Sequence, residues 1–397
     1  MAAPLNHAAQ YAGGHSRARE STQMTDEWQD NPYYQIDSYA DWVKTEGVPV
    51  VEAYAVDCLS QPLEPSARLG GLGAYIHLVG RGDAATCYLA EIPAGGSLQP
   101  EKHLYDKLVY VLTGRGATTV EAPDGRKHSF EWGPNSVFGI PVNTRHQHFN
   151  GSGREPARLV SVSNLPTVLN LFHNVSFVFD NDHAFQDRVG EDRYFRGEGE
   201  FRTVKPGRHQ WETNFVADLT SFQLPEWKER GAGGTSTNVQ FTLANSTMHA
   251  HISEFGVGTY KKAHRHDAGA HIICVTGHGY SLLWQEGEDP VGTVRVDWKP
   301  GTLYAPPDGP TFHQHFNTAS VPSRYFVMSF GGARYFTSNA RKASYQNMDR
   351  SVKEGGNQIE YEDEDPRVLD LYERECAANG VQSRMRQIVG QRSAVAI

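Results

Sequence analysis

The sequence has few cysteines, no cluster of basic residues and no long apolar run. Its four cysteines stand far apart without a C-x-x-C pair, so neither a disulfide framework nor a thiolate metal site is indicated. The net charge of −9 argues against a surface for nucleic acid or anionic membranes. No apolar run approaches the roughly 20 residues that span a bilayer, and residues 1–25 lack a signal peptide's apolar centre. We therefore expect a soluble, cytoplasmic protein without nucleic-acid or membrane partners.

Turn-forming and aromatic residues, by contrast, are plentiful. The 39 glycines, 21 prolines, 18 tyrosines and 18 phenylalanines favour many short strands joined by tight turns. Strand-like runs fill residues 74–163 and 238–330, with turn residues between them. A chain of 397 residues exceeds the roughly 250–300 residues of a single core. We expect an all-β fold of two domains with short flanking helices.

The positions of the strand-like, helical and polar stretches along the sequence predict the domain boundaries. A helix is expected over residues 37–47, and another from Asp365 to Cys376, with Asp365 as its N-cap and Pro366 at its first position. The expected parts are a disordered tail over residues 1–30, a first domain with its capping helix over 31–172, a connection over 173–235, a second domain over 236–336, and a polar, helical C-terminal tail over 337–397.

A short motif occurs twice. His146-Gln-His148-Phe-Asn150 recurs without change as His313-Gln-His315-Phe-Asn317, at an offset of 167 residues. Upstream, Glu101-Lys-His103 takes the place of His264-Arg-His266, at an offset of 163. Two elements recurring at nearly one offset indicate two structural repeats of one unit.

The second repeat contains a candidate metal site. Because side chains alternate along a strand, His264 and His266 are expected to share a face, where a third imidazole can join them. We choose His313 over His315 because it matches the repeated pattern and keeps Asn317 four residues on. Three neutral imidazoles suit Fe(II), Mn, Ni, Cu or Zn. The alternative is a pair of solvent-exposed strand histidines.

The spacing of these residues resembles the cupin pattern, in which G-x5-H-x-H is followed by P-x-G-x-x-H-x-x-x-N. The second half has Gly258, His264 and His266 at the first spacing, and Pro307, His313 and Asn317 at the second with one extra residue. The first half has Pro141, His146 and Asn150. The resemblance covers roughly residues 70–335 and implies a bicupin, with two antiparallel double-stranded β-helix (jelly-roll) barrels.

Within the cupins, the second repeat is most similar to ring-cleaving dioxygenases of the gentisate 1,2-dioxygenase type. Many cupins have a metal-binding glutamate four residues after the second histidine, and here that residue is Ala270. Manganese oxalate decarboxylases and oxidases are expected to keep the glutamate, so Ala270 argues against them. The chain departs from the dioxygenases at His271-Ile272, where they have Leu-Arg, and so lacks their usual substrate-contacting arginine at this position.

The resemblance and the ligand set together favour a non-haem Fe(II) dioxygenase. The expected substrates are O₂ and a small anionic or phenolic molecule, such as a hydroxylated aromatic, that chelates the metal. The alternatives are a non-oxidative cupin isomerase, lyase or decarboxylase, and a non-catalytic bicupin that binds a small molecule. A homo-oligomer is also expected from the resemblance.

Further residues are candidates for roles around the metal. His315 is either an acid–base group or a hydrogen-bonding neighbour, and His249 and His251 either line the pocket or are hydrogen bonded in the barrel wall. Arg324 and Tyr260 are candidates for holding a substrate carboxylate or hydroxyl, with packing as the alternative.

The first repeat offers a possible second metal site in Glu101, His103 and His146. Lys107 stands at the usual glutamate position there, and an inward-pointing lysine would oppose metal binding. We expect this barrel to be structural.

Overall fold

The computed structural model describes residues 36–205, 208–225, 237–267, 269–307, 309–331 and 334–393. The tail predicted over residues 1–30 lies outside these ranges. The chain divides into Met1–Asp37 and Ser38–Ile397. Of the first unit only Ile36 and Asp37 are described, and both are exposed. None of the helices in the described ranges is long and apolar enough to cross a membrane.

Most regular structure is β-strand, with a few short helices, which confirms the all-β prediction. The capping helix is present, its Tyr39, Trp42 and Val43 are buried, and Gly47 follows with a positive φ. The elements up to the end of the first domain are α1 (Ser38–Thr45), β1 (Val50–Ala53), β2 (Ala55–Asp57), β3 (Glu64–Pro65), β4 (Leu72–Leu78), β5 (Thr86–Ile92), β6 (Lys107–Thr113), β7 (Gly116–Glu121), β8 (Lys127–Trp132), β9 (Val137–Ile140), β10 (Arg145–Asn150), β11 (Ala157–Ser163) and α2 (Leu165–Phe172).

The rest of the chain continues the strand pattern and ends in helices. The elements are α3 (Val175–Phe179), β12 (Glu200–Lys205), β13 (Arg208–Thr213), β14 (Phe215–Val216), β15 (Thr237–Leu243), β16 (Met248–Phe255), β17 (His271–Thr276), β18 (Gly279–Gln285), β19 (Val294–Trp298), β20 (Thr302–Tyr304), β21 (Thr311–Asn317), β22 (Ser323–Phe330), α4 (Asn339–Gln346), α5 (Pro366–Ala378) and α6 (Met385–Ser393).

The two halves have the same sheet order. In each, a large sheet packs against a three-stranded sheet to form a β-barrel. The large sheets run β4-β5-β11-β6-β9 and β15-β16-β22-β17-β20, and the small sheets run β10-β7-β8 and β21-β18-β19. Apolar side chains of both sheets meet inside each barrel, as Val109 and Trp132 do in the first and Ile272 and Trp298 in the second.

The two halves also exchange strands. Strand β2, from the N-terminal part of the chain, pairs with β20 of the second barrel. Strand β14, from the segment between the barrels, pairs with β9 of the first barrel. The neighbouring strands β1 and β13 stay with their own halves and pair in parallel with β4 and β15. Residues 173–235, predicted to be a connection, therefore contribute strands to both large sheets.

A shared core joins the two large sheets. It contains buried residues of β4, β6 and β11 from the first barrel and of β15, β16 and β22 from the second. Tyr110 and Phe326 stack across this core with ring centroids 6.2 Å apart. Burial of apolar surface on both sides makes this interface a main source of stability.

The C-terminal helices pack against the outside of the second small sheet. Helix α5 begins at Pro366 with Asp365 as its N-cap, as predicted, and the Asp365 side chain accepts a hydrogen bond from the Arg367 backbone N–H. Val368, Tyr372 and Cys376 follow at helical spacing and are buried against the sheet. The region predicted to be a polar tail therefore contributes a core of its own.

The asparagine of the repeated motif has the same structural role in both halves. The Asn150 amide donates to the carbonyls of Ile92, Pro93 and Glu155, at 2.8–3.1 Å. The Asn317 amide makes the corresponding three bonds, to the carbonyls of Phe255, Gly256 and Val321 at 3.0–3.3 Å. In both halves, the motif thus supplies an asparagine that holds neighbouring loops through backbone carbonyls, in addition to a histidine.

Candidate metal centre

The structure brings His264, His266 and His313 together. One ring nitrogen of each lies within 4.8 Å of those of the other two. The ring centroids are 4.2 Å apart for His264 and His313 and 4.6 Å apart for His266 and His313. His264 and His313 are buried, and His266 is half-buried. The three predicted ligands can therefore face one ion.

The backbone places two of these ligands opposite each other. His264 and His313 form an antiparallel bridge with reciprocal hydrogen bonds of 3.0 and 2.8 Å. We expected a strand at His264 and His266, but the segment is irregular. It lies between β21 and residues 357–359, where the Arg265 N–H donates to the Asn357 carbonyl at 2.9 Å. The segment that contains His264 and His266 is thus held by backbone hydrogen bonds on two sides, and it is not a strand of a continuous sheet.

Backbone carbonyls orient two of the rings. The Nδ1 of His264 lies 3.1 Å from the Lys262 carbonyl, and the Nδ1 of His266 lies 2.8 Å from the Asp267 carbonyl. Because a carbonyl only accepts, Nδ1 carries the hydrogen in each case and Nε2 keeps its lone pair. Such an outer hydrogen bond is typical of metal-binding histidines. This donor set fits a borderline divalent metal.

The cluster opens into a cavity of about 90 Å³ in the second barrel. Strands of the large sheet form one wall, and the α4 region forms another. The residues that line it are Asn238, Gln240, His249, His251, His264, His266, Asp267, Ala270, Ile272, His313, His315, Tyr325, Val327, Ser329, Gly331, Arg341, Ser344, Tyr345 and Met348. The cavity can hold a small molecule beside the three imidazoles.

Ala270 lines this cavity, at the position where the resemblance places a glutamate in other cupins. Its side chain provides no ligand atom. Among the described residues, the cluster around His264 comprises three imidazoles and no carboxylate. An ion held there would keep its full charge and open positions for an anionic ligand.

His315 also lines the cavity and is fixed from behind. Its Nδ1 lies 2.8 Å from the Ser281 hydroxyl and 3.1 Å from the Tyr304 hydroxyl. The Trp298 indole N–H donates to the same serine at 3.1 Å. His315 is thus held at Nδ1 while its ring lines the cavity.

The remaining candidates divide into two pairs. His249 and His251 share a face of β16, and both line the cavity. Arg324 and Tyr260 do not line it. Arg324 forms an ion pair with Glu254 at 2.5 Å and donates to backbone carbonyls, and Tyr260 is buried with its hydroxyl donating to Glu364. These placements do not support substrate contact by Arg324 or Tyr260.

In the first barrel, the equivalent cluster differs from the predicted one. The ligand atoms of Glu101, His146 and His148 lie within 4.8 Å of one another. His103 is not part of this cluster; its ring stacks on Tyr105 with centroids 3.7 Å apart, and its Nδ1 donates to the Tyr105 carbonyl at 2.8 Å. The structure therefore groups His148, rather than His103, with Glu101 and His146.

Two cationic side chains form ion pairs with the Glu101 carboxylate. Lys107 donates to one oxygen at 2.8 Å, and Arg68 donates to the other at 2.9 Å. Burial alone would raise the pKa of Glu101, but Lys107, His146 and Arg68 together hold it well below its ordinary value. Burial and Lys107 hold the pKa of His148 well below its ordinary value. The lysine ammonium thus takes the place of an ion, and this cluster does not fit a metal.

Comparison with known proteins identifies the barrel type. Residues 88–163 match the family described as "Cupin domain". This range runs from within β5 to the end of β11, so the first barrel has the cupin fold, and the second half of the chain repeats its sheet order.

Among solved structures, a mutant of Bacillus subtilis oxalate decarboxylase is similar at 12% identity, with 72% of this chain and 78% of that chain covered and a TM-score of 0.44. Vicilin from hazelnut, Corylus avellana, is similar at 9% identity, with 70% and 85% covered and a TM-score of 0.43. No curated protein matches the chain.

Several residues of the cavity were not among those predicted from the sequence. Arg341 and Tyr345 come from α4, in the region predicted to be a tail, and the Tyr345 hydroxyl donates to Gln240 at 2.7 Å. Tyr325 directly follows Arg324, and the alternation of strand side chains could have indicated that only one of the two faces inward.

Proposed function

We propose that the second cupin barrel is the active site of a metal-dependent enzyme, with His264, His266 and His313 as ligands. The reaction we propose is the oxidative cleavage of a hydroxylated aromatic or another small chelating molecule by a non-haem Fe(II) centre. The observation that carries this proposal is the cluster of three imidazoles with Ala270 beside it in the same cavity. Mn, Ni, Cu and Zn also suit this donor set, and metal analysis distinguishes them.

Among the described residues, no carboxylate joins the three imidazoles, and this favours an anionic chelating substrate. His264, His266 and His313 would hold a divalent iron through three neutral nitrogens, and the chemistry that it would supply is the activation of O₂ beside a chelating oxyanion. Arg341 and Asp267 both lie in the cavity wall, and the Arg341 guanidinium can pair with an anionic group of the substrate.

The other lining residues serve orientation and proton transfer. His315, with its Nδ1 held by Ser281 and Tyr304, presents a fixed imidazole as an acid–base group. His249 and His251 add imidazoles to the facing wall. Tyr345, bonded to Gln240, helps to close the cavity against water.

Oxygen consumption tests the proposal. The metal-free protein is loaded with Fe(II) without air and then mixed with O₂ and catechol, gentisate, salicylate or hydroquinone. We expect O₂ uptake, matched by ring-opened product, with at least one of these compounds. Full turnover of a substrate without O₂ would contradict the dioxygenase and identify a non-oxidative enzyme. Tight ligand binding without any turnover would identify a binding protein.

The variant Ala270→Glu provides a second test of the proposal. A glutamate there reaches into the cavity and can supply the fourth ligand that other cupins have. We expect this variant to retain metal but to lose O₂ uptake, because the carboxylate occupies a position needed by the substrate or by O₂. Unchanged oxygen uptake would show that the open position is not used.

A further inference from the structure

Three buried positions are apolar in the first barrel and polar in the second. Since the halves share one sheet order, each barrel serves as an internal control for the other. The equivalent pairs are Leu98 and Lys261, Leu159 and Tyr325, and Phe138 and Tyr304.

Backbone hydrogen bonds establish the first equivalence. The Leu98 N–H donates to the His148 carbonyl at 3.0 Å, and the Lys261 N–H donates to the His315 carbonyl at 3.1 Å. His148 and His315 are the same residue of the repeated motif. Lys261 therefore occupies the place of a core leucine.

Strand register establishes the other two equivalences. Leu159 follows Arg158 on β11 and faces Ala90 of β5, and Tyr325 follows Arg324 on β22 and faces Ser253 of β16. Phe138 on β9 and Tyr304 on β20 likewise face equivalent residues of β6 and β17. The second barrel thus replaces apolar core residues with a lysine and two tyrosines.

The lysine and one tyrosine form a pair beside His315. Lys261 is only 1% exposed, and its ammonium donates to the Tyr325 hydroxyl at 3.1 Å. The ammonium also lies 4.7 Å from the centroid of the Tyr325 ring. Tyr325 lines the cavity, and its ring centroid lies 5.0 Å from that of His315. Burying a lysine is costly, and such groups concentrate at functional sites.

The geometry points to Tyr325 as the residue that binds an anionic oxygen of the metal-bound substrate, with Lys261 as the residue that positions it. An ammonium group only donates, so the Tyr325 oxygen accepts from Lys261, and this bond fixes the position of the Tyr325 hydroxyl. The nearby positive charge favours an anionic acceptor in the cavity. The inference rests on the proposed metal site and specifies its substrate class as a chelating phenolate or carboxylate.

The difference between the barrels supports this assignment. The first barrel, whose cluster does not fit a metal, has leucines at both positions. The lysine–tyrosine pair occurs in the barrel that has three imidazoles and Ala270. Packing alone does not require the pair, because the same fold places two leucines there.

Binding of 4-nitrocatechol without O₂ tests the inference, because this chelating phenol changes colour when its hydroxyls deprotonate on a metal. The proteins compared are wild type, Tyr325→Phe, Lys261→Met and the double variant, each loaded with Fe(II), with metal content and thermal unfolding measured first. Tyr335→Phe, on the exposed surface, is the control.

We expect all variants to retain the metal. Tyr325→Phe should weaken nitrocatechol binding about tenfold, the effect of one hydrogen bond to a charged acceptor. Lys261→Met should weaken it by a similar factor, and the double variant no further, because the lysine acts through the tyrosine.

Unchanged affinity in Tyr325→Phe would overturn the inference, as would a Lys261→Met effect that persists in full in the double variant. A metal-loaded wild type without any colour change would also overturn it while leaving the metal site intact. A wild type that binds no metal would overturn the proposed function as well, and metal analysis detects that failure before nitrocatechol is added.

Discussion

Arg158 and Arg324 make the same set of contacts in the two barrels. The Arg158 guanidinium pairs with Glu91 at 2.7 Å, as that of Arg324 does with Glu254 at 2.5 Å. Each also donates from Nη1 to three backbone carbonyls in the segment that follows an exchanged strand. These carbonyls belong to Cys58, Leu59 and Gln61 after β2, and to Leu219, Thr220 and Phe222 after β14. Both arginines therefore hold in place the segment that follows an exchanged strand, β2 or β14.

This equivalence predicts a structural effect for Arg324→Lys. A lysine cannot form the fork of bonds to a carboxylate and carbonyls, so the variant should lose about 1–2 kcal/mol of unfolding free energy. Arg158→Lys should lose a similar amount. Neither change should alter the KM for the substrate, as chemical unfolding and steady-state kinetics would show. A raised KM in Arg324→Lys alone would restore it as a substrate-binding residue.

The metal site predicts the behaviour of His264→Ala. Removing one of three ligands should lower metal affinity by about 100-fold or more, measured by metal analysis after dialysis. His278→Ala, which removes an exposed histidine, should leave the metal content unchanged. Equal metal content in both variants would contradict the assignment of the site.

Lys107 in the first barrel gives a prediction about metal stoichiometry. Lys107→Ala introduces the alanine that the second barrel has at the equivalent position, Ala270, and removes one of the two cations that pair with Glu101. Glu101, His146 and His148 should then accept a second ion, so metal content should rise from about one to about two per chain. The metal-free variant should be less stable by about 3 kcal/mol, because a buried ion pair is broken.

Lys102→Ala is the control for that prediction, since Lys102 lies 3.9 Å from the exposed Asp182 and outside the cluster. Its stoichiometry should remain about one. If Lys107→Ala also remains at about one, the lysine is not what excludes metal from the first barrel.

Glu364 predicts a pH dependence of stability. Burial raises its pKa to about 7, although Tyr260 and Gln314 donate hydrogen bonds that oppose the shift. At pH values between the ordinary pKa of a glutamate and about 7, Glu364 holds a proton in the folded protein that it has lost in the unfolded chain. The stabilisation of the folded state that results from this raised pKa is therefore fully present at low pH and is lost as pH rises through about 7.

Glu364→Gln removes this titration. The wild type should lose about 2–3 kcal/mol relative to the variant between pH 5 and pH 8, as urea unfolding at both values would measure. Parallel pH profiles for the two proteins would show that Glu364 does not titrate in this range.

The repeat in the sequence predicted much of this architecture. His146 and His313 recur in an identical motif, which indicated two copies of one fold and singled out His313 as the third proposed ligand. The equivalent backbone bridges of Glu101 with His146 and of His264 with His313 confirm that the two copies are aligned at this point.

Other features depend on contacts that a motif does not specify. Arg324 and Tyr260 were chosen for their chemistry, but strand direction and packing turn both away from the cavity. Tyr325 and Lys261 stand in ordinary strand and loop sequence, and only the position-by-position comparison with Leu159 and Leu98 distinguishes them. The exchange of β2 and β14 depends on pairing between distant segments, which local patterns do not encode.

That exchange has a consequence for how the chain folds and how it can be divided. Neither large sheet is complete until the other half has contributed a strand, so the two barrels must assemble cooperatively and through contacts of long sequence separation, which slow folding. A gene cut between residues 172 and 208 would leave β9 and β20 as open edges in the separate products, prone to association. Co-expressed halves should therefore find each other and reassemble, in the manner of a strand-exchanged dimer whose two subunits have been joined into one polypeptide.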